Sequence, residues 1–333
     1  MVPVGRPATS GRRICQAPVV SEHADLRRLP VLDGADVARL LPYLDLVDGL
    51  EEGHRRAAPI VRRTVFGPDG SDQSFLGLPA WRPDDVLGVK LVTVFPANTA
   101  IPTVQALYVL FDGRDGAPLA LIDGTELTYR KTACDSALGS RLLSRADSRV
   151  LLMIGAGGLA PHLVAAHRAV RPSIERVLIW NRSRDRAASV AAALGAEVAD
   201  DLAAAVEEAD IVCTATMTKE ALVEGRWLRP GTHLDLVGAY LPDHREVDDE
   251  AVVRAELFVD TREVTTEEDG DLVIPLAAGL ITLDDIRGDL FELCRGEVEG
   301  RTDPSAITLF ENGGGGHLDL MTADLLCRRA GLR

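Results

Sequence analysis

The sequence predicts an α/β chain in which a doubly wound parallel sheet is inserted into an α+β domain. Three observations carry this expectation. A strand, a glycine-rich turn, a helix and a second strand follow one another between Arg149 and Arg184. Beyond that unit, short apolar runs alternate with helical stretches, the pattern of a parallel sheet with helical crossovers. Ahead of it, β-branched runs succeed one another through tight turns, the pattern of an antiparallel sheet. The boundaries that follow are residues 1–145 plus 305–333 for the α+β part and 146–304 for the parallel-sheet part.

The first twenty residues are basic, contain proline and lack an apolar signal core, so they read as a loose leader. Asp33-Gly34-Ala35-Asp36 precedes Val37, Leu40, Leu41, Leu44 and Val47, which predicts one capped amphipathic helix or two short ones. PIVRRTVF, residues 59–66, reads as a strand, and Gly67-Pro68-Asp69-Gly70 as a turn. Strands follow at 75–81 and 87–95. Those at 107–111 and 118–122 flank the hairpin signature Asp112-Gly113-Arg114-Asp115-Gly116. Residues 127–143 form the next helix, with Thr128 as N-cap and small residues at Ala133, Ser136, Ala137, Gly139 and Ser140. Past the glycine-rich unit, helices are expected at 185–194 and 202–208, the second capped near Asp200 or Asp201. Strands are expected at 197–198, 210–215, 233–237 and 257–260. The chain ends with a helix over 282–294, a strand over 307–310, a flexible segment Glu311–His317 and a helix from about Leu318 to Ala330.

The central unit is specific in its chemistry. Val150 to Ile154 is apolar and is followed at once by Gly155, Gly157 and Gly158, with Ala160 in the last position of the motif. Gly155 permits the tight turn, Gly157 lets the backbone approach a pyrophosphate, and Ala160 lets helix and strand pack closely. The helix N-terminus then offers free N–H groups to phosphates. This is the Rossmann-type unit that binds dinucleotides. Its second strand ends in Asn181-Arg182-Ser183-Arg184. A cofactor with a free ribose 2′-OH calls for an acidic residue there, whereas arginine attracts a 2′-phosphate. NADPH is therefore expected over NADH, with Asn181, Arg182 and Ser183 at the phosphate; for Arg184 a solvated loop position is an equal reading. Ligands of such sheets bind outside the carboxyl ends of the strands, which places Thr214, Thr216 and Gly238 towards the cofactor.

Composition narrows the class. A net charge of −15 argues against nucleic acid and anionic membranes as partners. Cys15, Cys134, Cys213, Cys294 and Cys327 are scattered and form no Cys-x-x-Cys, which fits reduced thiols of a cytoplasmic protein and no zinc site. The seven histidines include no His-Glu-x-x-His, and His162 and His167 are five apart, on different helix faces. No metal is expected, and no apolar run reaches transmembrane length.

Several stretches in fixed order carry a resemblance: RRTVF, LGVKLVTVFPAN, LTYRKTACDSA, LLMIGAGGLA, IWNRS, DIVCTAT, LRPGTHLDLVGAYLPDHREVDDE, FVD and ITLF. With these the chain resembles the ornithine cyclodeaminase/μ-crystallin family, along nearly its whole length after residue 30. The resemblance implies a homodimer with a substrate-binding and dimerisation domain around a Rossmann-type domain. It implies hydride transfer between a nicotinamide and the α-carbon of an amino or imino acid. By this likeness Arg63, Lys90 and Lys131 hold the substrate carboxylate, with Lys90 also tuning or relaying the proton; Lys131 stands where the family pattern has arginine, so substrate carboxylate and cofactor phosphate are both open for it. Asn98 is a weaker candidate for the same pocket, a turn asparagine being the equal reading. Cyclodeaminases carry an aspartate where this chain has Tyr240, so the likeness points to the ketimine-reductase branch, with Tyr240 donating a hydrogen bond or lining the pocket. In the ENGGGGHLDL segment, matching a loop that closes on the nicotinamide in the family, Asn312 replaces a serine. His317 is extra: a proton donor, a contact for a second substrate carboxylate, or equally an exposed loop residue.

The expected function is reduction of an imino acid by NADPH, with NADH possible, on cyclic ketimines such as Δ1-pyrroline-2-carboxylate or Δ1-piperideine-2-carboxylate. The alternatives are a linear imino-acid reductase or amino-acid dehydrogenase of the iminosuccinate or alanine type, then an ornithine cyclodeaminase, then a non-catalytic NADPH-binding protein.

Overall fold

The computed structural model describes residues 26–333; the basic leader up to residue 20 and Cys15 lie outside the described residues. Asp33 accepts from the Asp36 amide and opens α1 (Gly34–Leu40); Pro42 precedes α2 (Tyr43–Arg55), so the reading as two short helices holds. The first sheet contains β1 (Val31–Leu32), β2 (Ile60–Val61), β3 (Thr64–Phe66), β4 (Ser74–Arg82), β5 (Val86–Val94), β6 (Val104–Asp112) and β7 (Pro118–Asp123). Their order is β1-β7-β6-β5-β4-β2, with β3 also on β4, and only β1 and β7 pair in parallel. The single strand expected over 59–66 is split between β2 and β3. Val61 faces Ala80 and Thr64 faces Gly77, which sets Pro79 in the gap. Proline has no N–H for the ladder, so pairing lapses there, and Arg62 and Arg63 sit at the break.

Helix α3 (Gly124–Leu143) links the two halves. Asp123 is its N-cap, accepting from the Glu126 amide at 2.8 Å. Thr128, expected in that role, instead lies inside the helix and donates to the Gly124 carbonyl at 2.6 Å. The strand-ending aspartate reaches the free amides first. Every residue from Arg130 to Ser140 is buried, because α3 packs against α2 and β6 on the first domain and, beyond it, against the second sheet. The small side chains at Ala133, Ser136, Ala137, Gly139 and Ser140 permit this close approach. The buried Arg171 guanidinium donates to the carbonyls of Ser140, Arg141 and Ser144, satisfying the orphan end of the helix.

The second sheet is built from β8 (Val150–Ile154), α4 (Ala160–Val170), β9 (Arg176–Trp180), α5 (Arg184–Leu194), β10 (Glu197–Val198), α6 (Leu202–Glu208), β11 (Ile211–Thr214) and β12 (His233–Leu236). It continues through α7 (Asp249–Arg254), β13 (Glu256–Val259), α8 (Arg262–Glu268), α9 (Gly270–Ala277), β14 (Ile286–Asp289), α10 (Leu290–Arg295) and β15 (Thr308–Glu311), and α11 (Gly316–Arg329) closes the chain. The eight strands are all parallel, in the order β10-β9-β8-β11-β12-β15-β13-β14. This is the doubly wound, Rossmann-type sheet the sequence predicts.

Two boundaries shift. β15 lies between β12 and β13, so the parallel sheet reaches residue 311 and the division at 305 falls too early. The helix expected over 282–294 is a short turn, then β14, then α10 capped by an Asp289–Glu292 box. Among the described residues no helix is long and apolar enough to cross a membrane.

Candidate active site

The glycine-rich turn follows β8. Gly155 has φ +118°, a conformation L side chains rarely adopt, and a Cβ there would stand 2.6 Å from the Ala215 carbonyl oxygen. At Gly157 a Cβ would meet nothing within 4 Å, so that backbone faces open space. Gly158 lies against the Tyr129 hydroxyl, and Ala160 is buried where α4 begins. No side chain caps the first turn of α4. An open glycine backbone beside the uncapped amides of an eleven-residue helix fits a dinucleotide pyrophosphate. At the end of β9, Asn181 donates to the Ser183 carbonyl at 3.0 Å, and Ser183 leads into α5 without capping it by its side chain. Arg182 is exposed and makes no ion pair among the described residues, whereas Arg184 is tied to Asp200 at 2.7 Å. Of the two arginines, Arg182 is the one available to an anion.

At the carboxyl ends of β11 and β12 the expectation needs correcting. The Thr214 hydroxyl, buried, donates to Glu246 at 2.6 Å; the Thr216 hydroxyl and amide both donate to Glu246 at 2.6 Å, and the Gly238 amide does so at 2.7 Å. Thr214, Thr216 and Gly238 therefore spend these groups on one buried carboxylate and shape the wall rather than present donors to a ligand. Burial raises the Glu246 carboxyl, and these hydrogen bonds oppose the rise. Asp271 holds Glu246 in turn, accepting from the Glu246 and Val247 amides. Asn312 is corrected likewise. It is buried and donates to the Thr132 carbonyl at 3.0 Å and the Ser136 hydroxyl at 2.9 Å, pinning its loop to α3.

A cleft of about 1040 Å³ opens between the first sheet and these strand ends. Arg63, Lys90, Lys131 and Tyr240 all line it, together with the backbone of Gly313 to Gly316. Three cations thus come together from β5, α3 and the gap between β2 and β3. Their partners differ. Arg63 pairs with Glu268 of α8, both of them partly exposed. Lys90 is buried in β5 and pairs with the fully buried Asp319 of α11 at 2.8 Å. Lys131 is buried and makes no hydrogen bond or ion pair among the described residues. Tyr240 is 44% exposed, with its hydroxyl 3.8 Å from the Met217 sulfur.

Two candidates fall elsewhere. Asn98 sits in the turn after β5, its amide 3.4 Å from the Pro102 carbonyl, and does not line the cleft. His317 is buried in the first turn of α11 between the rings of His54 and Phe291. It borders a neighbouring cavity of about 580 Å³ rather than the cleft. Burial, then His54 and Lys131, holds the imidazole well below its usual range, so it is neutral. Four glycines in a row hide this, because the rings that bury His317 come from distant segments.

The sequence reading finds no metal-ligand spacing, yet the fold brings His167, Cys213 and Asp235 together in the core. Asp235 accepts from the Cys213 thiol at 2.9 Å and lies 3.0 Å from His167 Nε2. Burial and the Asp235 charge push the thiol up, so Cys213 is a hydrogen-bond donor here and not a thiolate.

Behind the cleft lies a set of buried acids that the sequence does not single out. Burial, with the charges of Asp260, Glu268 and Asp271, pushes Asp269 up to about 9. Burial and Glu246 push Asp271 up to about 7. Burial pushes Asp260 up to about 6, against hydrogen bonds from Thr265 and Thr261. Each value lies above the unfolded carboxyl, about 3.9. Protonation therefore favours the folded state, fully below about pH 4, and this stabilisation is lost as pH rises through the folded values. The melting temperature is expected to fall between about pH 5 and pH 9, and Asp269→Asn to flatten the upper part of that fall. Thermal melts at stepped pH check this; an Asp269→Asn curve parallel to wild type above about pH 7 would remove Asp269 from the set.

The glycine turn, the parallel sheet and the cation-lined cleft at its strand ends define a two-domain, dinucleotide-binding α/β protein. The Ornithine cyclodeaminase/mu-crystallin family matches residues 31–330, and the chain belongs to it. The chain is 43% identical over 304 residues to a Delta(1)-pyrroline-2-carboxylate reductase of Paracoccus denitrificans, covering 89% of this chain and 96% of the relative. It is 36% identical over 273 residues to the ketimine reductase mu-crystallin of Mus musculus, covering 79% and 83%. A solved structure of Thermococcus litoralis Delta(1)-pyrroline-2-carboxylate reductase in complex with NADH and L-proline matches with a TM-score of 0.84 at 32% identity, covering 91% of this chain and 97% of that one.

Proposed function

We propose that this chain is an NAD(P)H-dependent reductase of cyclic imino acids, with Δ1-pyrroline-2-carboxylate and Δ1-piperideine-2-carboxylate as substrates. The observation that carries the proposal is the cluster of Arg63, Lys90 and Lys131 in one cleft at the end of the glycine-rich sheet. Cations so placed suit a carboxylate set beside an electrophilic C=N bond. Arg63 and Lys90 hold that carboxylate. Arg63 exchanges Glu268 for it at little cost, since the pair is partly exposed. Asp319 fixes the Lys90 ammonium in its buried place. The reduced nicotinamide, when bound, supplies the hydride, and the carboxylate clamp orients the imine carbon towards it, so positioning does most of the work. Tyr240 borders the cleft where a cyclodeaminase has its aspartate, which leaves ammonia release without that acid. Glu263 and Glu267 also line the cleft and disfavour a second carboxylate, which speaks against iminosuccinate. Following NADPH oxidation with cyclic ketimines, iminosuccinate, and pyruvate plus ammonia tests this; turnover of ornithine alone, without net NADPH use, would overturn it.

The finer points are our reading. NADPH is preferred over NADH because Arg182 stands exposed at the end of β9. Arg182→Ala is expected to raise KM for NADPH about tenfold and leave KM for NADH unchanged; equal changes in both would sink the preference. The first domain with the last helix binds substrate and dimerises. Val65 and Phe66 on β3 and Val104 and Leu107 on β6 are exposed apolar residues suited to a homodimer contact. We place the protein in the cytoplasm on its scattered thiols. The sequence mass is 35.7 kDa, and light scattering at twice that value is the expected result.

A further inference from the structure

We propose that Lys131 is the acid of this site, its ammonium protonating the imine nitrogen as the adjacent carbon accepts hydride. The inference rests on the reductase reading above. It begins with a composition the function does not explain. The chain has three lysines, Lys90, Lys131 and Lys219, against 33 arginines. Where this sequence needs a cation it nearly always uses arginine. Lys219 is exposed and pairs with Asp243; the other two lysines both line the cleft. Arginine keeps its proton in proteins, whereas a buried lysine gives it up readily. Lysine at position 131 therefore permits a proton transfer that arginine would not.

The three cations of the cleft divide by their bonding. Arg63 is engaged by Glu268 and cannot titrate. Lys90 is locked to a fully buried carboxylate, with Asp319 oxygens at 3.0 and 2.8 Å. Lys131 alone among them has neither a hydrogen bond nor an ion pair among the described residues. The loop above it keeps the space open. Gly314 has φ +68°, and a Cβ there would stand 2.8 Å from Lys131 Nζ. The groups that face Lys131 are Asp135 one turn further along α3, Asp260 after β13, Asp319 and His317 on α11, and Lys90 on β5. Burial lowers the Lys131 ammonium, Lys90 adds to that, and the three aspartates oppose it with a net downward result. Both Asp135 oxygens are buried without a hydrogen-bond partner, and burial raises this carboxyl well above its usual range. A lysine whose ammonium burial disfavours thus stands beside Asp135, whose carboxyl burial favours in its protonated form.

The step balances. The C=N π pair moves to nitrogen and takes a proton from Lys131, forming one N–H bond as a Lys131 N–H bond breaks. The imine carbon gains hydride, two electrons and a proton, from the reduced nicotinamide, which is oxidised. Neutral Lys131 recovers its proton from water entering the cleft that it lines.

Lys131→Arg separates an acid from a clamp, because arginine keeps the charge but cannot deliver the proton. It is expected to lower kcat at least about 100-fold, to change KM by no more than about threefold, and to remove the alkaline fall of the wild-type kcat profile. Retained kcat with the wild-type pH profile would overturn the proposal. A second readout needs no turnover. In [13C]lysine-labelled protein, three Cε resonances are expected, assigned with Lys131→Arg and Lys219→Arg; that of Lys131 should titrate at lower pH than that of Lys219. Titration of both together would also overturn it. If the wild type reduces no imino acid, the reductase reading fails, while the resonance titration still decides whether Lys131 gives up its proton.

Discussion

Lys90→Met is expected to lower kcat/KM by at least about a thousandfold, roughly 4 kcal/mol of transition-state stabilisation. Two effects combine in that loss. The first is the absence of an ammonium against the substrate carboxylate. The second is Asp319, which lies fully buried on α11 and has Lys90 as its ion-pair partner. Removing one member of a buried pair leaves an uncompensated charge and costs about 3–5 kcal/mol. A low melting temperature would therefore accompany the low activity, and the single variant alone would not separate catalysis from folding. Lys90→Met with Asp319→Asn removes both charges. This double variant should regain most of the melting temperature and none of the turnover. Measuring both quantities on both variants decides the matter: recovery of activity in the double variant would make Lys90 a structural residue only.

The second large effect is expected at Glu246. Its carboxylate collects the Thr214 and Thr216 hydroxyls and the Thr216 and Gly238 amides. These groups belong to the ends of two adjacent parallel strands, β11 and β12, where the cofactor is expected. Glu246→Ala strands four donors, each costing about 1–3 kcal/mol when left unpaired and buried, with partial relief from entering water. The strand ends should then separate. We expect a clear drop in melting temperature and at least about a tenfold rise in the NADPH dissociation constant, about 1.4 kcal/mol. Glu246→Gln keeps the shape but turns a donor towards donors, and should fall between alanine and wild type. A titration of NADPH fluorescence gives the constant directly. An unchanged constant in the alanine variant would detach this network from cofactor binding.

Much of this architecture is legible in the sequence because its signals are local. The apolar runs of β8, β9, β11 and β13 announce themselves, and the glycines after β8 fall where an open backbone and a helix start are needed. β14 does not, since Ile286-Arg287-Gly288-Asp289 has neither an apolar run nor alternation. The site is legible in part for the same reason. Lys90 stands out in an apolar strand, and a buried lysine calls for an anion. That the anion is Asp319, 229 residues away, is information only the fold contains. Thr214, Thr216 and Gly238 are placed well by the strand-end rule, but what their polar groups bond depends on Glu246, at least eight residues away in each case. Nothing near those threonines announces a buried carboxylate. His317 fails as a cleft residue because its burial comes from α2 and α10, which a window of local sequence does not see.

The position of β15 carries one more consequence. Its four residues end at 311 of 333, yet they form the seam between β12 and β13. During synthesis the nucleotide-binding sheet therefore stays in two pieces until residues 308–311 have been made. Until then β12 and β13 each show an unpaired edge, the kind of surface that invites pairing with other chains. A fragment ending at residue 304 would carry every glycine and arginine of the dinucleotide motif and still lack the strand that joins its sheet. A nucleotide-binding half cut at residue 304 is therefore an incomplete sheet.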